Sequence, residues 1–216
     1  MNKVFNPEKN TWSSLAKRPL YSLDSVKGIV DEIFTNVKLK GDEALVDYTN
    51  KFDKVNLNDL LVSDKKINNS ENDIDKDLKE SINIAFNNIY KFHKNQAFNS
   101  KKTETTPGVF CWQEKRAIEN VGLYIPGGTA PLFSSVLMLA IPAMIANCKN
   151  IVLCSPPNNN GELHPAILYC AKLCKVNKVI CVGGAQSIAA MSIGTESVPK
   201  VNKIFGPGNQ YVTSAK

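Results

Sequence analysis

Histidine and arginine are almost missing from this 216-residue chain, which holds two of each: His93 and His164, Arg18 and Arg116. Metal centres and nucleophile–base pairs lean on histidine, so two isolated ones assemble no metal site, triad or dyad. The shortage of arginine bears on partners. Nucleic-acid surfaces combine guanidinium forks and aromatic platforms with lysine, and neither clusters here. The net charge of +6, carried by 24 lysines, is therefore not the footprint of a nucleic-acid binder. The six cysteines (Cys111, Cys148, Cys154, Cys170, Cys174 and Cys181) form no CxxC pair, and four lie in apolar runs, the pattern of reduced, buried thiols. Nothing beside Cys111 or Cys148 in sequence would activate either as a nucleophile. Long apolar runs are missing too. The longest, residues 136–146, falls well short of the ~20 residues a membrane helix needs, and residues 1–10 lack the apolar core of a signal peptide. A cytoplasmic protein without a membrane partner is expected.

What the chain does have is an uneven distribution of charge. Residues 1–120 hold 19 basic and 18 acidic side chains, whereas residues 121–216 hold seven lysines against only Glu162 and Glu196. The shift marks a domain boundary near residue 120. Before it, helices are legible. Val26, Ile29, Val30, Ile33, Phe34 and Val37 repeat at the spacing of one helical face, and Gly41 is placed to end that helix. Ala44, Leu45, Tyr48 and Phe52 mark a second helix, with Asp42 and Glu43 at its positive end. Leu78, Ile82, Ala85, Ile89 and Phe92 mark a longer one over 75–96, with His93 beside its buried stripe as a structural residue. Residues 108–118 are consistent with a short hairpin.

After residue 120 the pattern changes to short apolar runs alternating with helical ones. Strands are expected at 121–125, 151–154, 178–182 and 203–205, and helices at 134–147, 162–175 and 185–193. This is the alternation of βαβ units, with a parallel sheet whose strands all end on one edge. Each strand runs into a Pro- and Gly-rich loop: Pro126-Gly-Gly128, Ser155-Pro-Pro157, Gly183-Gly-Ala-Gln186 and Gly206-Pro-Gly-Asn209. In open α/β sheets the crevice beyond the carboxyl ends of the strands is where ligands bind, and glycine lets backbone come close to them. Tyr124, Gln186 and Asn209 offer hydrogen-bonding groups at three of the four loops, which points to a nucleotide or similar anionic ligand. The common dinucleotide fingerprint is absent. No Walker loop and no GxGxxG after a strand occurs, and no acidic residue ends a second strand to hold a ribose.

These loops carry a resemblance. Val121-Gly-Leu-Tyr-Ile-Pro-Gly-Gly-Thr-Ala-Pro-Leu132, Val182-Gly-Gly-Ala-Gln-Ser-Ile-Ala-Ala190 and Gly194-Thr-Glu-Ser-Val-Pro-Lys-Val-Asn-Lys-Ile-Phe-Gly-Pro-Gly-Asn209 closely resemble the histidinol dehydrogenase family. Lys40-Gly-Asp-Glu-Ala-Leu45, residues 48–53 (Tyr-Thr-Asn-Lys-Phe-Asp) and Pro107-Gly-Val109 resemble it as well, so the likeness extends over nearly the whole chain. It implies the last two oxidations of histidine biosynthesis, L-histidinol to L-histidinal and on to L-histidine. It further implies two NAD consumed in sequence, a zinc ion that organises the substrate, and a homodimer when full length.

Carried onto matching positions, the resemblance gives NAD contacts to Tyr124, Gln186 and Asn209. The family's glutamate–histidine acid/base pair, its zinc ligands and its Ala-Gly-Pro-Ser-Glu segment fall past Lys216, so no catalytic and no metal residue is expected in this chain. The expected fold is α/β: a helical segment, residues 1–120, belonging to a first α/β domain that downstream sequence completes, then residues 121–216 as an incomplete Rossmann-like parallel sheet with helices on both faces. Residues 209–216 carry no helix stop signal, and the last helix is expected to be cut off. The rival reading is a non-catalytic nucleotide-binding fragment or decayed remnant of that enzyme. Sequence past Lys216 separates the two: adjacent Glu-His with further ligands for the dehydrogenase, an immediate stop for the remnant. No arginine is placed for a 2′-phosphate, which favours NAD over NADP.

Overall fold

A computed structural model of the chain describes residues 3–17, 24–96, 100–127 and 130–216. Gly128 of the first strand-end loop lies outside the described residues. The early part of the chain supplies helices α1 (Trp12–Leu15), α2 (Asp24–Lys40), α3 (Asp42–Asp53), α4 (Asp64–Asn69) and α5 (Lys76–Lys94), then a hairpin of β1 (Thr103–Thr106) and β2 (Val109–Cys111). Strands β3 (Asn120–Tyr124), β4 (Asn150–Ser155), β5 (Lys178–Cys181) and β6 (Lys203–Phe205) follow, alternating with α6 (Phe133–Ile145), α7 (Pro165–Leu173), α8 (Gly184–Ile193) and α9 (Gln210–Ala215).

The four later strands form one parallel sheet in the order β5-β4-β3-β6. The chain winds outward from β3 through β4 to β5, then crosses back to place β6 on the other side of β3. That reversal is the doubly wound, Rossmann-like arrangement, and it leaves a crevice at the strand ends between β3 and β6. The outer edge of β5 is covered: residues 60–62 run antiparallel to it, with Val62 N donating to Val179 O at 2.9 Å and Cys181 N to Leu60 O at 2.7 Å. A covered edge offers no template for pairing with another chain.

Strand alternation divides the core in two. Val121, Leu123, Ile151, Leu153 and Val179 face one way, onto α5, α6 and α7. Tyr124, Val152, Cys154, Ile180 and Val182 face the other way, onto α2, α3 and α8. Successive side chains of a strand point to opposite faces, so strands buried on both sides read as continuous apolar runs, which is how these appear in the sequence. The helices of the first 120 residues thus lie on both faces of the sheet. A polar clasp holds α3 in place. Asp42 at its first turn accepts hydrogen bonds from Thr195 Oγ1 (2.6 Å) and Ser197 N (3.0 Å), while Glu196 Oε2 accepts one from Asp42 N (2.8 Å). The Gly-Asp-Glu motif and the Gly-Thr-Glu-Ser motif are therefore two sides of one contact.

Three details depart from the helical and strand patterns read above. Ile29 is 45% exposed and Phe52 49%, although both fall on predicted apolar faces; each borders the cleft described below. Phe92 is 63% exposed, because the buried stripe of α5 continues through Phe86 and Tyr90, and residue 92 stands to one side of it. The hairpin occupies 103–111 rather than 108–118. Gly108, at φ +84°, suits the turn itself, so strand pairing begins before Pro107.

Candidate functional site

The ends of β3, β4, β5 and β6 converge on one cleft of about 580 Å³. Every strand-end loop reaches it: Pro126 and Gly127 after β3, Pro156 and Pro157 after β4, Gly184 and Gln186 after β5, and Asn209 after β6. The opposite wall comes from the N-terminal helices, with Ile29 and Ile33 of α2 and Phe52 and Asp53 from the end of α3. This accounts for the exposure of Ile29 and Phe52. They form an apolar wall against which a flat ring could lie.

The loops are fitted tightly to each other. Pro156 lies so close to Gly127 and Gly183 that a β-carbon on either would collide with its ring. Gly206, at φ +134°, lies against the backbone of Tyr124, where a β-carbon would strike the Tyr124 carbonyl oxygen. Few residues other than glycine accept that conformation. These glycines thus do work that the sequence did not reveal: they allow the loops to pack on one another and hold the rim of the cleft.

Tyr124, Gln186 and Asn209, the three residues singled out from the sequence, all line this cleft. Tyr124 ends β3 and is 4% exposed, and its Oη accepts a hydrogen bond from Gly184 N at 3.2 Å. Burial, the largest influence, raises its pKa above the ordinary phenol value, so the hydroxyl stays protonated and can donate. Gln186, in the first turn of α8, is 1% exposed, and its Oε1 has no hydrogen-bond partner. A buried carbonyl normally has one. Asn209 caps α9, its Oδ1 accepting from Tyr211 N and Val212 N at 3.1 Å each. That leaves the Nδ2 donor for a ligand.

Both histidines lie in structural roles away from the cleft. His164 caps α7, its Nδ1 accepting from Ala166 N at 3.1 Å, and His93 Nδ1 pairs with Gln96 Oε1 at 2.8 Å. Four thiols, Cys154, Cys170, Cys174 and Cys181, are buried as their apolar runs suggested. Burial pushes Cys170, Cys174 and Cys181 up to about 12, out of the range of a reactive thiolate.

A family model described as histidinol dehydrogenase matches residues 16–216. The chain belongs to the histidinol dehydrogenase family. It is 54% identical over its whole length to histidinol dehydrogenase of Bacteroides thetaiotaomicron, covering 50% of that protein. To that of Escherichia coli K12 it is 52% identical over 203 residues, which is 94% of this chain and 46% of the relative. The crystal structure of histidinol dehydrogenase from Elizabethkingia anophelis matches it with a TM-score of 0.89 at 49% identity, covering 98% of this chain and 49% of that one. The chain spans about half the length of the curated relatives it matches.

The charged residue of the cleft is not legible as such in the sequence of this histidinol dehydrogenase family chain. Asp53 brings a carboxylate to the crevice from the end of α3, outside the strand-and-loop pattern of the sheet. Burial raises its pKa above the usual carboxylate value. The only sequence signal was that residues 48–53 belong to a family-like stretch. Nothing local says that this end of α3 faces the sheet's switch point.

Proposed function

We propose that this chain is the cofactor-binding part of a cytoplasmic, NAD-dependent and zinc-requiring histidinol dehydrogenase, which oxidises L-histidinol through L-histidinal to L-histidine and acts as a homodimer when full length. The observation that carries the reading is the buried, unpartnered Oε1 of Gln186 in the cleft where all four strand-end loops meet. An acceptor left without a partner costs about 1–3 kcal/mol, and a ligand donor removes that cost.

The residues present fit a nucleotide. Gln186 Oε1 accepts from it, Asn209 Nδ2 donates to it, and the ring of Tyr124 with the apolar side chains of Ile29 and Phe52 encloses its flat parts. NAD supplies the hydride acceptor for both oxidations. Tyr124, tied to Gly184 N, holds the first turn of α8, which carries Gln186, in position at the cleft. Zinc does not fit here: among the described residues no three His, Cys, Asp or Glu side chains gather as ligands. We assign the zinc ligands and the acid/base pair to the part of the family's length that this chain does not span.

Calorimetric titration of NAD into the 216-residue chain tests the reading. Binding is expected, weakened by Gln186→Ala and Asn209→Ala; absence of NAD binding would overturn it. Histidinol and NAD added to chain freed of host enzyme should yield no NADH. NADH production would show that the catalytic groups are within these residues after all.

A further inference from the structure

Among the described residues the cleft is lined by one carboxylate and no cation. Gln186 Oε1 is buried without a partner, and the Asp53 side chain makes no hydrogen bond or ion pair among the described residues. Among the described residues no lysine or arginine lines the cleft. The two carboxylates of the sheet-bearing half are spoken for elsewhere: Glu162 pairs with Lys66 at 2.6 Å and Glu196 accepts from Asp42 N at 2.8 Å. Asp53 is thus the only carboxylate lining the cleft among the described residues.

An unpartnered carboxylate at the cleft calls for a ligand group rich in donors. The vicinal hydroxyls of a ribose are such a group; a phosphate, with acceptors only and negative charge, is not, so the phosphates of a dinucleotide would lie away from Asp53. Doubly wound sheets commonly place a carboxylate at the end of the second strand to take the ribose hydroxyls of NAD. Here that strand is β4, and it ends in Ser155, Pro156 and Pro157 without one. The helix end of α3 brings a carboxylate to the same crevice from the opposite wall.

We propose that Asp53 accepts the ribose hydroxyls of the bound dinucleotide and repels a 2′-phosphate, so that it is the residue that selects NAD over NADP. The inference rests on the NAD reading of the cleft and adds to it the residue that sets cofactor choice. Its partial burial weakens solvent screening, which strengthens the effect. The half-buried side chain also keeps its place: the Asp42 clasp at the other end of α3 fixes the helix against the loop that follows α8.

The test is calorimetric titration of NAD and of NADP into the wild-type chain and its Asp53→Asn variant, with Gln186→Ala alongside. Wild type should bind NAD more tightly than NADP. Replacing the carboxylate by an amide of the same shape should narrow that preference by roughly tenfold or more, chiefly by tightening NADP, since like charges facing each other are the source of the discrimination. Asp53→Ser gives the same readout through a smaller side chain. Circular dichroism and urea midpoints establish that each variant is folded. An unchanged NAD-to-NADP ratio in both Asp53 variants, while Gln186→Ala still weakens NAD, would overturn the assignment of Asp53 and leave the cleft reading standing. Failure of the folded wild-type chain to bind either dinucleotide would overturn both.

Discussion

The unpartnered Gln186 carbonyl makes stability and binding pull in opposite directions, and Gln186→Met separates them. Methionine matches glutamine in length and helix propensity but has no carbonyl to satisfy. With 1% of Gln186 exposed and its Oε1 alone, the wild-type chain bears a desolvation cost of about 1–3 kcal/mol that the variant escapes. For a chain of this size each kcal/mol moves the melting temperature by roughly 2–4 °C, so the variant should melt about 2–12 °C higher. With NAD present the order reverses. The wild type recovers its hydrogen bond on binding and the variant cannot, which should weaken NAD by roughly 5- to 150-fold. Urea titrations without NAD and at saturating NAD read both effects from one pair of proteins, and calorimetry gives the affinities. A variant less stable than wild type without ligand, or one that binds NAD as tightly, would refute the claim that this oxygen is held ready for a ligand.

Other outcomes follow from geometry elsewhere. Gly206→Ala combines an unfavourable φ of +134° with a clash against the Tyr124 carbonyl oxygen and should cost about 2–5 kcal/mol in urea unfolding; a loss below about 1 kcal/mol would contradict the close packing of the β3 and β6 loops. Maleimide at pH 8 should label Cys111, which is exposed, ahead of the half-buried Cys148, and should reach Cys154, Cys170, Cys174 and Cys181 only after unfolding. Equal labelling rates in the folded chain would refute the burial of the last four. Glu71 accepts from Lys172 and lies near Lys79, which together hold its carboxyl below its ordinary value of 4.5. A lowered folded value means stability present above the unfolded value and lost as pH falls through the folded one. Glu71→Gln should therefore lower the urea midpoint at pH 7, and the difference from wild type should vanish in acid; a pH-independent difference would exclude this ion pair as its cause.

Much of this architecture was legible because it is local. Strands buried on both faces, such as β4 and β5, show as unbroken apolar runs, and the pattern of strand, Pro- or Gly-rich loop and helix repeats four times. Tyr124, Gln186 and Asn209 were legible as hydrogen-bonding residues at strand ends, and the sheet brings all three to one cleft. What could not be read was set by contacts distant in sequence. Ile29 and Phe52 lie on helical apolar stripes, and periodicity cannot tell a stripe that meets the core from its margin that walls a cleft. Pro156 looked like a turn residue; only the stacked loops show it wedged against Gly127 and Gly183. Asp53 was hidden for the same reason. Its neighbours across the cleft come from β3 and α8, and no spacing within α3 announces them.

The change of composition near residue 120 divides the chain by chemistry, yet the cleft needs both sides of it. The sheet-bearing half has only two carboxylates, both engaged away from the cleft, because buried parallel strands and their apolar helices leave little room for charge. A donor-rich ligand at the switch point is held best by a charged acceptor, which this half does not supply. The charged helices do supply it, and the Asp42 clasp sets α3 in the position that carries Asp53 to the crevice. Breaking the clasp with Asp42→Ala removes the acceptor of two hydrogen bonds far from the cleft rim. If α3 is what delivers Asp53, that variant should lose part of the NAD preference over NADP while Gln186 still contributes to binding both. A variant whose preference is intact would mean that the end of α3 is held by its apolar packing on α8 alone.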